Sequence, residues 1–182
     1  MLKQFIEALS KVGGQAAEVA TVCEAAAYIA GHVTGTLLLP SQPSLERVAL
    51  AAELETAGVK VIEDSWRENA ASANAGVTGV NFALADTGTV VLDSTAEALR
   101  LATTLPELHF ALLDPGKILV DSLAAIPYLR GFHERAPRNY LAYITGPSRT
   151  ADIERVLTIG VHGPRQLHVL LMPGLSTDYY EL

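Results

Sequence analysis

Ser148, Arg149 and Thr150 follow Gly146-Pro147, after the apolar run 140–145 and before a segment, 151–157, with helical character. Hydroxyls, a guanidinium and free amides between a strand and a helix suit an anion, because unpaired N–H groups and the helix dipole favour negative charge. The plainer use of the same residues is capping: Ser148 or Thr150 can close the helix start, and Asp152 and Glu154 complement its dipole and would repel a phosphate. Local charge tilts the balance towards an anion loop. Between residues 130 and 165, six arginines (130, 135, 138, 149, 155, 165) stand against three acids (134, 152, 154), an excess of +3 in a chain of net charge −7. Gly160-Val161-His162-Gly163-Pro164 adds an imidazole with little bulk around it, open to bind a ligand or move a proton, or to serve as polar surface.

A second group comprises Thr78 and the stretch Asp86-Thr87-Gly88-Thr89. Its hydroxyls and bounding glycine can line a pocket, with Asp86 as the one candidate catalytic carboxylate. Asp86-Thr87-Gly88 has the composition of the aspartic-protease triplet, but that chemistry needs two carboxylates sharing a proton, and one triplet in a mixed α/β chain argues for a turn. His162 and His168 are not at metal-ligand spacing, and no cysteine or carboxylate cluster supports zinc, so no metal is expected. Cys23, among alanines, reads as a buried structural thiol. A single cysteine forms no intrachain disulfide and cannot supply the four thiolates of a typical iron–sulfur cluster, so no cofactor of the chain's own is expected.

Composition narrows the functions further. At 182 residues the chain fits one domain, 1–182, and its 49% hydrophobic and 18% charged content excludes disorder. The acidic balance, with a pI near 5.2, disfavours nucleic acid, whose binding rests on Lys and Arg neutralising phosphates. A mean hydropathy of +0.26 raises the question of a membrane. The best candidate span, 16–30, carries Glu18 and Glu24 and is too short, so no membrane is expected. Leu2, Phe5, Ile6, Leu9 and Val12 share one helical face, with Glu7 where a secretory signal would be apolar, which makes the cytoplasm the expected compartment.

The elements that must hold these groups alternate. A helical segment over 1–30, broken at Gly13-Gly14, is followed by the strand 36–39, a helix capped by Ser44 and ending at Ala57-Gly58, and the strand 59–62. Residues 80–85 and 89–92 form a hairpin across Asp86-Thr87-Gly88. A capping box, Ser94 to Glu97, opens a helix to about Thr104; the strand 108–113 follows, then a helix over 121–134 containing Pro127. Strands 140–145 and 166–172 and a loosely held tail from Pro173 complete the chain. Short apolar runs between helices predict α/β architecture, with the runs at 36–39, 59–62, 80–92, 108–113, 140–145 and 167–172 joined in one sheet buried on both faces.

Gly76-Val77-Thr78-Gly79 through Ala85-Asp86-Thr87-Gly88-Thr89-Val90-Val91-Leu92, Leu105-Pro106-Glu107-Leu108-His109, and Gly146-Pro147-Ser148-Arg149-Thr150-Ala151-Asp152-Ile153-Glu154 with Gly160-Val161-His162-Gly163-Pro164 resemble the LUD-domain family in order and spacing. The resemblance spans residues 76–172 and implies a three-layer α/β/α fold with a mostly parallel sheet, akin to the ribose-5-phosphate isomerase, glucosamine-phosphate deaminase and CoA-transferase group. It also implies a part in oxidising L-lactate to pyruvate beside iron–sulfur partner proteins, with an anionic small molecule or a partner held by loops 78–89 and 146–163. The family often has Glu at the position of Asp86, which keeps the charge and shortens its reach by one methylene. A stand-alone enzyme of the CoA-transferase or sugar-phosphate type and a non-catalytic interaction module are the alternatives, since a fold does not fix a function.

Overall fold

The computed structural model describes residues 1–136, 138–150 and 158–182. In chain order its elements are α1 (Leu2–Lys11), β1 (Gln15–Glu18), α2 (Val22–Ala30), β2 (Thr36–Leu38), α3 (Pro43–Arg47), α4 (Leu50–Thr56), β3 (Lys60–Ile62), α5 (Trp66–Asn69), β4 (Ala75–Gly79) and β5 (Phe82–Leu84). They continue as β6 (Thr89–Asp93), α6 (Glu97–Thr104), β7 (Leu108–Leu113), a 3₁₀ turn at Pro115–Lys117, β8 (Ile118–Leu119), α7 (Ser122–Arg135), β9 (Leu141–Ile144), β10 (Arg149–Thr150), β11 (Thr158–Ile159) and β12 (Gln166–Leu171). The fold is α/β, as the apolar runs predict: six parallel strands in the order β1-β12-β7-β4-β2-β3, flanked by helices.

Two sheets replace the expected single one. β8, β5, β6 and β9 make a second, four-stranded sheet, in which β5 and β6 are the hairpin across Asp86-Thr87-Gly88. The chain changes sheets between adjacent residues: Val80 N–H donates to Leu112 of β7, and Asn81 N–H donates to Val91 of β6. The buried Asn81 amide fastens the crossing, accepting from Asp93 N–H at 2.7 Å and donating to the Tyr179 carbonyl at 3.0 Å. No periodicity marks such a switch, because it depends on which distant strand lies beside each residue.

Side chains of β7 alternate between cores. Phe110 and Leu112 pack towards α2 and α4 with Ile29, Leu50 and Leu54. Ala111 and Leu113 face the smaller sheet and α1, beside Phe5, Leu9, Val90 and Leu92. All six residues of β7 are buried, the pattern of a strand covered on both faces. Helix α7 closes the outer face of the smaller sheet through Ala125 and Phe132.

Five local expectations fail. The helical segment over 1–30 is interrupted by β1, which pairs in parallel with His168–Leu171; edge pairing outweighs the helix propensity of Ala16 and Ala17. Ser44 does not cap one long helix: Gln42 precedes α3, Pro43 sits in its first turn, and Ala49 at φ 54° separates α3 from α4. Ser94 does not cap α6, whose first turn follows Ala96; its hydroxyl donates to the Tyr140 carbonyl instead, tying the start of β9 to the end of β6. Cys23 is exposed on α2, not buried. The stretch from Pro173 is also firmly held, with Leu175 and Ser176 buried. The helix expected over 151–157 lies outside the described residues. Asp121 does cap α7, accepting from Ala124 N–H at 2.9 Å, and Pro127 lies within that helix.

Candidate functional site

After β9 the chain turns through Thr145-Gly146-Pro147-Ser148 into β10, and it returns from β11 through Gly160–Pro164 to β12. The two loops are laced together: Ser148 N–H donates to the Pro164 carbonyl at 2.9 Å, and Gly160 N–H donates to the Ser148 carbonyl at 2.9 Å. Gly146, at φ +79°, passes so close beneath the end of α1 that a Cβ would come within 2.3 Å of the Val12 carbonyl oxygen. Backbone conformation and space both require glycine there.

Between these loops and the end of α6 lies a cleft of about 230 Å³. Thr103, Thr104, His109, Tyr143, Thr145 and Leu167 line it together with Gly146, Ser148, His162 and Gly163. Its volume suits a small molecule, below the roughly 300–1,000 Å³ of pockets that take drug-sized ligands. The cleft does lie at the carboxyl end of β9. Relative to the six parallel strands, however, it lies at the opposite edge, because His109 and Leu167 are the second residues of β7 and β12.

The second predicted loop reaches the cleft through a chain of hydroxyls. Asp86 Oδ1 accepts from Thr87 Oγ1 at 3.3 Å, Thr87 Oγ1 is 2.8 Å from Thr89 Oγ1, and Thr89 Oγ1 is 2.9 Å from Thr145 Oγ1. Thr145 lines the cleft; Asp86 is exposed at the outer end of the chain and does not. Gly88, at φ +67°, lies beneath α1, where a Cβ would come within 2.3 Å of Leu9 N, so it serves packing and does not line the cleft. Arg149 is exposed and turns back to donate to the Thr145 carbonyl at 3.2 Å. Thr150 pairs with Thr158 in the β10–β11 ribbon, outside the cleft wall. Thr78 is fully buried behind the wall and bonds His109 Nε2 through its hydroxyl at 2.9 Å.

His109 is the site residue that spacing did not single out. Gly76 of β4 stands opposite His109 of β7, so Thr78, two residues on and on the same face, meets the imidazole diagonally. That contact spans 31 residues of sequence, and only the strand register creates it. Burial pushes the imidazole down to about 4, so it is neutral at physiological pH, and its Nδ1 is buried without a partner. Burial also raises the Tyr143 phenol above its ordinary range. At the mouth, His162 is exposed to solvent. The lining therefore offers hydroxyls, a phenol and imidazoles, while Arg149 stays outside. Among the described residues no three His, Cys, Asp or Glu side chains gather as a metal set, and no helix is long and apolar enough to cross a membrane.

A parallel sheet backed by a smaller mixed sheet, with a small cleft where they meet, defines the architecture as α/β. Residues 2–172 match the LUD domain, and the chain belongs to that family. It is similar to the protein named lactate utilization protein C of Anoxybacillus flavithermus, 34% identical over 140 residues, covering 75% of this chain and 62% of that protein. The Bacillus subtilis protein of the same name is 33% identical over 150 residues, covering 76% and 62%. The chain thus spans less than two thirds of the length of these relatives. The crystal structure of a DUF162 family protein from Deinococcus radiodurans shares the fold, with a TM-score of 0.63, 21% identity, and coverage of 94% of this chain and 95% of the other.

Proposed function

We propose that the chain serves L-lactate utilization in the cytoplasm, holding a small carboxylate in the cleft between loops 145–148 and 160–164. The observation that carries this reading is its 33–34% identity to proteins named lactate utilization protein C. The cleft chemistry supports it. Ser148 and Thr145 offer hydroxyl donors, His162 offers a ring nitrogen, and neutral His109 leaves the inner wall uncharged. Such a lining suits one carboxylate with a neighbouring hydroxyl or carbonyl better than a phosphate, which typically recruits bidentate arginine. L-lactate becomes pyruvate by losing two electrons and two protons. In this reading the electrons pass to iron–sulfur partner proteins, since these 182 residues contain one cysteine.

Calorimetric titration with L-lactate and pyruvate is expected to give saturable binding by the unmodified protein. The double variant Ser148→Ala with His162→Ala should bind roughly 10- to 100-fold more weakly, the effect of one or two lost hydrogen bonds. Unchanged affinity in the double variant would remove the cleft from the proposal. Saturable binding of CoA alone would favour the stand-alone enzyme. Capture of the tagged protein from lactate-grown cells should bring down iron–sulfur proteins, and their absence from the captured material counts against the partnership.

A further inference from the structure

Parallel α/β sheets hold ligands beyond the carboxyl ends of their strands, and in this fold that edge is covered by the segment 174–182. Beneath the cover lie buried polar side chains, Gln42, Ser44, Asn81, Asp114 and Lys117, of which Asn81 ties the two sheets and Asp114 accepts from Gly116 and Gly174 N–H. They follow the ends of β2, β4 and β7. Lys117 is 2% exposed, and its ammonium donates to two backbone carbonyls of the covering segment, those of Asp178 and Glu181, each at 3.2 Å. It forms no ion pair with a carboxylate among the described residues. Gln42, 1% exposed, accepts from Gly79 N–H at 2.9 Å through Oε1, while its Nε2 is buried without a partner.

These groups converge on one place. A Cβ on Gly79 would lie 3.1 Å from the Leu182 backbone and 3.7 Å from Gln42 Nε2, and Ser44 N–H donates to the Leu182 carbonyl at 3.0 Å. Glu181 is gripped by Arg47 in a two-pronged pair at 2.8 and 2.7 Å, which holds its carboxyl down at about 2. A guanidinium fork, a buried ammonium and an unsatisfied amide donor thus surround a stretch of this chain that presents two carboxylates, Glu181, paired with Arg47, and Asp178, which accepts from Tyr180 N–H, together with several carbonyls. Of these donors Gln42 Nε2 is the one left without a partner, and a buried donor in that condition is costly.

We propose that the carboxyl edge of the parallel sheet is a second binding site, for a small dicarboxylate. Arg47 takes one carboxylate in place of Glu181, Lys117 and Gln42 Nε2 take the other, and residues 174–182 are the cover that the ligand displaces. Polar bonds tie the cover at one end and ring contacts at the other. Tyr179 stacks on Tyr128 at 3.9 Å, and the Arg135 guanidinium lies 3.9 Å from the centre of the Tyr180 ring. The site is separate from the cleft and does not rest on its occupant.

Succinate and malonate are the probes, with inorganic phosphate as the competing anion. Removing the internal competitor by Glu181→Gln is expected to tighten succinate binding about ten-fold. Adding Lys117→Met or Gln42→Ala to that variant should abolish the gain. Amides of residues 174–182 in the unmodified protein should exchange faster with deuterium as succinate is added, while those of 145–148 and 160–164 stay unchanged. Equal affinity with and without Glu181→Gln, or a gain that survives Lys117→Met, overturns the site. So does unaltered exchange at saturating succinate, a readout that does not depend on any variant folding. A response to phosphate equal to that to succinate would mean a general anion site and would overturn the dicarboxylate assignment.

Discussion

Replacing Gly88 with alanine is expected to lower the stability of this protein by about 4 kcal/mol, a large share of the roughly 5–15 kcal/mol that holds a domain folded. Two effects add at this position. The backbone has φ +67°, a region in which L residues are strained by about 1–2 kcal/mol. The new methyl would also lie 2.3 Å from Leu9 N, 2.5 Å from Leu9 Cα and 2.6 Å from Ala8 C, all backbone atoms of α1 that cannot rotate away. Helix and hairpin would have to part, opening the packing of Phe5 and Leu9, both fully buried.

Gly58 separates the two effects. It has φ +84° and nothing within 4 Å of a built Cβ, so Gly58→Ala should lose only about 1 kcal/mol. Urea unfolding of both variants measures the difference. If Gly88→Ala were no worse than Gly58→Ala, α1 would not be seated on the hairpin as described. Because Thr87 and Thr89 flank Gly88 and lead to Thr145, the same variant is expected to weaken ligand binding in the cleft, whereas Gly58→Ala should not.

The second large effect is a loss of stability on acidification between pH 6.5 and 4. His109 and His168 are each 1% exposed, and burial lowers both imidazoles from 6.5 to about 4; the charge of nearby His32 adds to the lowering of His168. In this window the unfolded chain binds protons that the folded chain refuses, so stability rises with pH through it and falls as pH drops from 6.5 towards 4. Each group contributes up to about 3 kcal/mol at the acid end. Neutral His168 is held by the Tyr28 hydroxyl at 2.9 Å and by Gln166 Oε1 at 3.1 Å, in a cluster with Phe110.

Thermal unfolding at pH 7, 6 and 5 should therefore show a steep decline, and His168→Gln should flatten it by about half. An unchanged slope in that variant would mean that His168 is accessible to protons in the folded state. At the alkaline end the sign is the same for Lys117. Burial lowers it from 10.5 to about 8, so its contribution to stability rises between pH 8 and 10.5, where only the unfolded chain keeps the proton.

Local chemistry explains which elements were legible. Leu108–Leu113 reads as a buried strand from its composition alone, Asp86-Thr87-Gly88 as a turn, and 121–134 as a helix, because each depends on neighbours a few residues away. β1 was not legible, since Gln15-Ala16-Ala17-Glu18 becomes a strand only when His168–Leu171 lies beside it. The candidate cleft was half legible. Gly146 and Ser148 share one loop and His162 and Gly163 another, each visible as a glycine-bounded motif, whereas Thr78 and His109 meet only through the register of β4 and β7. The residues under the 174–182 cover follow three separate strands, β2, β4 and β7, and no spacing rule connects them.

The sequence by itself determined the α/β class, the hairpin, the family resemblance and the loop that became one wall of the cleft, all of them consequences of short-range periodicity, turn chemistry and ordered motifs. Tertiary structure decided the rest. It divided the strands between two sheets, left Asp86 outside the cleft, brought His109 into it, and folded the last residues over Lys117. The physical reason is common to all four: burial and hydrogen-bond partnership are properties of distant neighbours, and a residue acquires its protonation state and its access to a ligand only when those neighbours arrive.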